Sequence, residues 1–228
     1  MNFQSFKALA INRKSVRKFT AQPVPMEMIE SILTVARTAP SGGNLQPGKF
    51  KVMAGKPLQA FSDTLCAAIE DGLDITEQYT YFPDPMPRSM LRQQAETAAS
   101  LFEAAGIDRK DTQARDDLFM QNYRFFDAPV GIVVTIDRRM GSGCYMDMGM
   151  TLQALLLAAQ AAGLASCGIG ALANYGPFIG ECLGLEDDEI VVCGIALGYE
   201  ESDAAINQFR TKRLLLKDYA TFTGWRTP

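Results

Sequence analysis

The chain has 228 residues, 47% of them apolar, which is enough for a sizeable core and fits one large domain or two small ones. Its 22 Lys and Arg against 26 Asp and Glu leave a net charge of −4, without the basic excess that nucleic-acid backbones demand. Histidine is absent and the five cysteines form no C-x-x-C pair, which excludes Ser-His-Asp and Cys-His catalysis and argues against metal sites and a disulfide framework.

In chain order, Phe3, Phe6 and Leu9 fall on one stripe and predict a helix over Asn2 to Ile11. A second helix opens at Pro25, carries Ile29, Ile32, Leu33 and Ala36 on one face, and ends at the Pro40-Ser41-Gly42-Gly43 turn. Phe50 to Ala54 reads as a strand, and Pro57 opens a helix with Phe61, Leu65, Ala68 and Ile69 on one side. Residues 71–120 hold aromatics, clustered prolines and two amphipathic stretches without strands between them, the pattern of an inserted helical flap.

Pro129 to Ile136 and Ile190 to Leu197 are β-branched runs that predict central strands. Between them a long helix is expected from about Tyr145 to Gly163, then a glycine turn at Cys167-Gly168-Ile169-Gly170, then a short helix near Pro177 to Leu183. Leu152 to Ala165 is apolar but contains Gln153 and Gln160 and falls short of the ~20 residues a membrane span needs. No export signal is visible at the N-terminus, so reduced thiols and a cytoplasmic location are expected. No repeat or linker appears, and the economical reading is a single domain over 1–228. Its tail, about 199–228, holds Phe209, Leu214, Leu215, Leu216, Tyr219, Phe222 and Trp225, too much apolar surface to leave exposed, and a second copy is the simplest cover.

Several segments could carry chemistry. Arg13-Lys14-Ser15-Val16-Arg17-Lys18 offers guanidinium forks and a hydroxyl suited to a phosphate, although a solvated basic linker has the same composition. Pro40 to Pro47 combines glycines with Ser41, Asn44 and Gln46, which suits the edge of a flat ligand and equally an ordinary turn. Gly168-Ile169-Gly170 lacks the third glycine of a dinucleotide fingerprint but can present backbone N–H groups. Arg210, Lys212 and Arg213 repeat the cationic theme and meet the N-terminal run if the tail returns to it. Tyr79, Phe119, Tyr123 and Phe125 are candidate pocket aromatics, with Phe126 assigned to the core.

Taken in order, Arg13-Lys14-Ser15-Val16-Arg17, Ala39 to Pro47, Phe126-Asp127-Ala128-Pro129, Gly163 to Gly170, Arg213-Leu214 and Phe222-Thr223-Gly224-Trp225 resemble the nitroreductase family of flavin mononucleotide (FMN) enzymes. The resemblance implies an α+β sandwich with a mixed central sheet flanked by helices, and a homodimer whose tails embrace the partner. FMN then sits at the subunit interface, NADH or NADPH is the electron donor, and a small aromatic is the acceptor. It implies that Arg13, Ser15 and Arg213 hold the phosphate, helped by Lys14 and Arg210, and that Arg17 lies by ring atoms N1 and O2. Pro40, Ser41 and Gly42 would come from the other subunit, Asn44 and Gln46 would support the ring, and Gly170, after Ile169, would offer its N–H to N5. No side-chain acid or base is implied as catalytic. The chain departs from the family pattern at Gly48 and Ala165, and reductive dehalogenation or flavin handling without turnover are the alternative activities.

Overall fold

Four antiparallel strands form the sheet of the computed structural model, which describes residues 2–225. The last three positions of the expected tail lie outside the described residues. The strands are β1 (Lys49–Ala54), β2 (Val130–Asp137), β3 (Ala165–Ile169) and β4 (Glu189–Gly198), in the order β1-β2-β4-β3. The two β-branched runs are the central pair, as their composition requires, because strands buried on both faces gain most from Val and Ile.

Helices α1 (Phe3–Asn12), α2 (Met26–Ala36), α3 (Gly55–Glu70), α6 (Ser142–Ala161) and α7 (Gly176–Leu183) follow the expected periodicities within a few residues. The flap carries α4 (Arg88–Ala104) and α5 (Thr112–Met120), again without a strand between them. A short α8 (Leu216–Tyr219) interrupts the extended tail.

Two expectations change. The segment read as a glycine turn is mostly strand β3, whose sequence Ala-Ser-Cys-Gly-Ile carries too few β-branched residues to announce itself. The sheet is not mixed, because every ladder among the described residues is antiparallel and the one parallel pairing is the isolated Ser15–Ser166 bridge. The strand-helix-strand pattern from β2 through α6 to β3 does join two strands that run the same way, but β4 inserts between them.

Each face of the sheet covers one hydrophobic cluster. Val130, Ile132, Val134 and Ile136 of β2 pack with α2 and α6, while Val133 and the glycine Gly131 face α3, α7 and the Tyr123–Phe126 segment. On β4 the alternation slips by one residue, and a β-bulge at Val192 absorbs the slip by pairing Val191 with Thr135 and Cys193 with Val134. Without it, Ile195 and Leu197 would exchange faces with Gly194 and Ala196. At the start of β4 the buried Glu189 carboxylate pairs with Lys49 and, at 3.7 Å, Lys51, and accepts a hydrogen bond from Thr135. Burial alone would raise its pKa, but these lysines and the hydroxyl hold it below the ordinary carboxylate value.

The flap's first residues close the part of β4 that β3 does not reach. Gln78 Oε1 accepts from Val191 N–H at 3.1 Å, Tyr79 Oη donates to the Val192 carbonyl at 2.7 Å, and Thr76 N–H donates to Asn174 O at 2.8 Å. The Gln78 and Tyr79 side chains thus satisfy backbone groups that would otherwise be left without partners at the bulge.

Candidate functional site

After α1 the chain runs extended beside β3 and the end of β4. Val16 N–H donates to Ser166 O at 3.0 Å and Thr20 N–H to Tyr199 O at 2.9 Å, while Val16 and Phe19 are buried as anchors. An extended backbone has a period of two, which sets Arg13, Ser15 and Arg17 together on the side away from Val16. The tail returns to this segment through Asn207, which is fully buried. Its Oδ1 accepts from Arg17 N–H at 2.9 Å and Lys18 N–H at 3.2 Å, and its Nδ2 donates to Lys18 O at 2.8 Å and Glu201 O at 3.0 Å.

Those contacts bring both ends of the chain into one cleft of about 830 Å³, lined by Arg13, Ser15, Arg17, Arg210, Arg213 and Gln153 of α6, among others. Among the described residues none of the four arginines makes an ion pair. Partial burial, then the charges of Arg213 and Arg210, hold the Arg13 guanidinium below its ordinary pKa. Like charges gathered without a carboxylate are favourable only when an anion completes the cluster.

The other members of the run do different work. Lys14 Nζ lies 2.6 Å from Glu200 Oε1 and donates to the Asn207 carbonyl, so its charge is already answered by protein. Arg210 Nη1 donates to Asn12 O at 2.8 Å, which caps the C-terminus of α1. The Arg17 guanidinium stands 5.9 Å over the Phe126 ring, a cation–π contact that fixes its direction.

A second cavity, about 340 Å³, opens where β3 ends. Gly170 is at its floor and Tyr79, Tyr81, Phe82 and Phe119 wall it. A Cβ on Gly170 would come within 3.0 Å of the Tyr81 ring, so glycine is what lets this aromatic group close over the backbone. The adjoining Ile169 is buried in the core and does not line this cavity.

Tyr123 and Phe125 do not line that cavity, contrary to expectation. Phe125 is fully buried against the sheet, where Gly131 and Gly194 leave room for its ring, and a Cβ on either would come within 3.0–3.2 Å of it. Tyr123 is buried edge-on against Tyr175 at 5.3 Å between centroids, and contributes to the core rather than to a roof. Burying such rings contributes about 1.5–3 kcal/mol each, and that outweighs display in a pocket.

The Pro40–Pro47 segment lines neither cavity within one chain. Asp147 Oδ2 of α6 accepts from Gly42 N–H at 2.9 Å, and Ser41 Oγ accepts from Gln46 N–H at 2.9 Å. Asn44 at φ 55° and Gln46 at φ 50° are left-handed, a strained state for a residue like Gln46. Both side chains are exposed, poised outward instead of toward their own chain's core.

Sequence reasoning missed Asn207 and Asp147. Asn207 left no local signal, because the segment it holds, Arg17 and Lys18, lies some 190 positions away. Asp147 did leave one, as the only charged residue of the otherwise apolar and neutral α6.

The nitroreductase family model matches residues 10–199. The chain belongs to the nitroreductase family. It is 32% identical over 220 residues to a 4-nitrobenzoate reductase of Pseudomonas putida, covering 96% of each chain. It is 34% identical over 212 residues to a chloronitrobenzene nitroreductase of Comamonas testosteroni, covering 92% of this chain and 93% of that one. Among solved structures, the FMN- and NADPH-dependent nitroreductase NfnB of Sphigopyxis sp. strain HMH superposes with a TM-score of 0.92 at 34% identity, over 99% of this chain and 100% of that one. The expected family and the α+β class therefore hold, with an antiparallel sheet.

Proposed function

We propose that the chain is an FMN-dependent NAD(P)H oxidoreductase that reduces nitroaromatic, quinone or similar acceptors. The chemistry FMN supplies when bound is hydride transfer at ring atom N5, from NAD(P)H to the acceptor in ping-pong order. The observation that carries this reading is the cleft where Arg13, Arg17, Arg210 and Arg213 gather without a carboxylate, joined by the Ser15–Ser166 bridge to the start of β3, the strand that leads to Gly170. These residues fit a phosphorylated, flat cofactor.

In this reading Arg13, Ser15 and Arg213 hold the phosphate by charge-assisted hydrogen bonds. Lys14, Arg210 and Asn207 position that grip. Arg17, aimed by Phe126, stands by N1 and O2 and favours the negative charge that reduction places there. Gly170 offers its N–H to N5, the Tyr79-Tyr81-Phe119 cavity takes the acceptor, and no side-chain acid or base is needed because water supplies protons.

The single domain works as a cytoplasmic homodimer, with Pro40, Ser41, Gly42, Asn44 and Gln46 of one protomer completing the site of the other. The outward-facing 40–46 loop supports this, as does the exposed apolar surface of α1, where no residue is buried. The outer edge of β1 also has no strand beside it among the described residues, and the tail is of a length to cover such an edge. The test is the absorption spectrum of the purified protein, followed by NADPH oxidation with and without nitrobenzene. A yellow protein whose NADPH oxidation is stimulated by nitrobenzene is expected. A colourless protein that takes up no added FMN would overturn the reading.

A further inference from the structure

The relatives split between an anionic acceptor, 4-nitrobenzoate, and a neutral one, chloronitrobenzene. The aromatic walls of the cavity above Gly170 suit a single ring, and at about 340 Å³ it is small for a ligand pocket, whose usual range is about 300–1,000 Å³. Its polar lining residues are Glu77, Tyr81, Gln94 of α4 and Asn174, with the Tyr81 hydroxyl over Gly170, and no cationic residue of this chain lines it among the described residues. The arginines line a separate cleft and share no residue with this one.

We propose that this cavity selects neutral nitroaromatics and turns away carboxylated ones, with Glu77 as the specificity-determining residue. The inference rests on the assignment of this cavity to the acceptor. A nitro group is neutral overall and presents two oxygen acceptors, which amide N–H groups of Gln94 and Asn174 can meet without a counter-ion. A ring carboxylate brings a full charge that loses water on entry, and the only charged residue this chain sets beside it, among the described residues, is Glu77, a like charge. The tyrosines do not offset this, because the Tyr79 hydroxyl is spent on the Val192 carbonyl and the Tyr81 hydroxyl over Gly170 offers a hydrogen bond but no charge.

The probe pair is 4-nitrobenzamide and 4-nitrobenzoate, nearly equal in shape and different in charge. Both are compared on the FMN-loaded enzyme by kcat/KM with saturating NADPH. Benzamide and benzoate are compared without donor, by equilibrium perturbation of the bound flavin's spectrum. The amide should be preferred by about tenfold or more in both measurements, the scale of one unit charge repelled at a partly exposed site. The preference should shrink at high ionic strength. Glu77→Gln should collapse it, Glu77→Asp should keep most of it, and Glu77→Lys should invert it. Equal use of the two compounds by the wild type, or an unchanged ratio in Glu77→Gln, overturns the proposal while leaving a nitroreductase in place. Selective binding of benzamide with no reduction of either nitro compound would instead uphold the charge rule and defeat the assigned activity.

Discussion

At the scale of single residues, the two ends of the chain build one anion site, but its cations are not equivalent. Arg13 and Arg213 face the cleft without a carboxylate partner, whereas Arg210 spends hydrogen bonds on the end of α1. Arg13→Ala and Arg213→Ala should each remove a charge-assisted contact of about 1.5–3 kcal/mol, weakening FMN binding roughly ten- to a hundred-fold. Titration of apoprotein with FMN measures this, and wild-type affinity in both variants would take the phosphate elsewhere. Asn207 acts at one remove, since its amide holds the backbone from which Arg17 projects. Asn207→Ala leaves buried N–H and C=O groups without partners and should cost about 2–4 kcal/mol of stability, near the upper range for such losses. Asn207→Asp still accepts from Arg17 and Lys18 but cannot donate, and should fall between. Chemical denaturation gives the order, and equal stability of all three would deny Asn207 its role. The arginine run was legible from its spacing and the tail cations, whereas the residue that joins them was not, because a buried amide has no sequence signature.

At the scale of elements, strands and helices that bury a periodic face were legible, and those defined by what lies beside them were not. β2 and β4 announced themselves through β-branched residues, whereas β3 was hidden by its small ones, and its pairing along β4 is a tertiary fact. Phe125 was misread for the same reason, since aromatic composition says nothing of the room that Gly131 and Gly194 open across two strands. The flap's anchor is another such case. Gln78 reaches the Val191 N–H only because Gly176 has no side chain, and a Cβ there would come within 2.7 Å of the Gln78 amide carbon. Gly176→Ala should therefore push Gln78 away and leave the Val191 amide without its acceptor, at about 1–3 kcal/mol. Local opening at the base of the flap should follow, with faster hydrogen exchange at Val191. Protection at Val191 equal to wild type would show that Gln78 is not what closes that edge.

At the scale of the whole molecule, one chain leaves apolar surface that a folded protein normally covers. Leu214, Leu215 and Leu216 are 58–62% exposed and Tyr219 and Trp225 are each 78% exposed, on the part of the tail beyond its anchors at Asn207 and Arg210. Phe3, Phe6 and Ile11 of α1 are exposed as well. A stable interface of about 1,200–2,000 Å² would cover such surfaces, and contact between two copies would bring the outward loop at Ser41 to Gln46 toward a partner's site. Removing everything after Gly198 would be a poor test, because it also deletes Asn207, Arg210 and Arg213 and so loosens the N-terminal segment within the same chain. Ending the chain after Arg213 separates the two effects, since it keeps the internal anchors and the phosphate grip and deletes only Leu214 onward. Such a chain should fold, with the helical content of the parent apart from the short α8, yet sediment as a monomer or a weakened dimer. It should also hold FMN less well than the full chain, since each site would lose the loop that the partner supplies. Sedimentation velocity read at the flavin absorption band reports mass and loading together. A dimer of parental stability that keeps its flavin would show that the tail beyond Arg213 neither joins the subunits nor helps to complete the site.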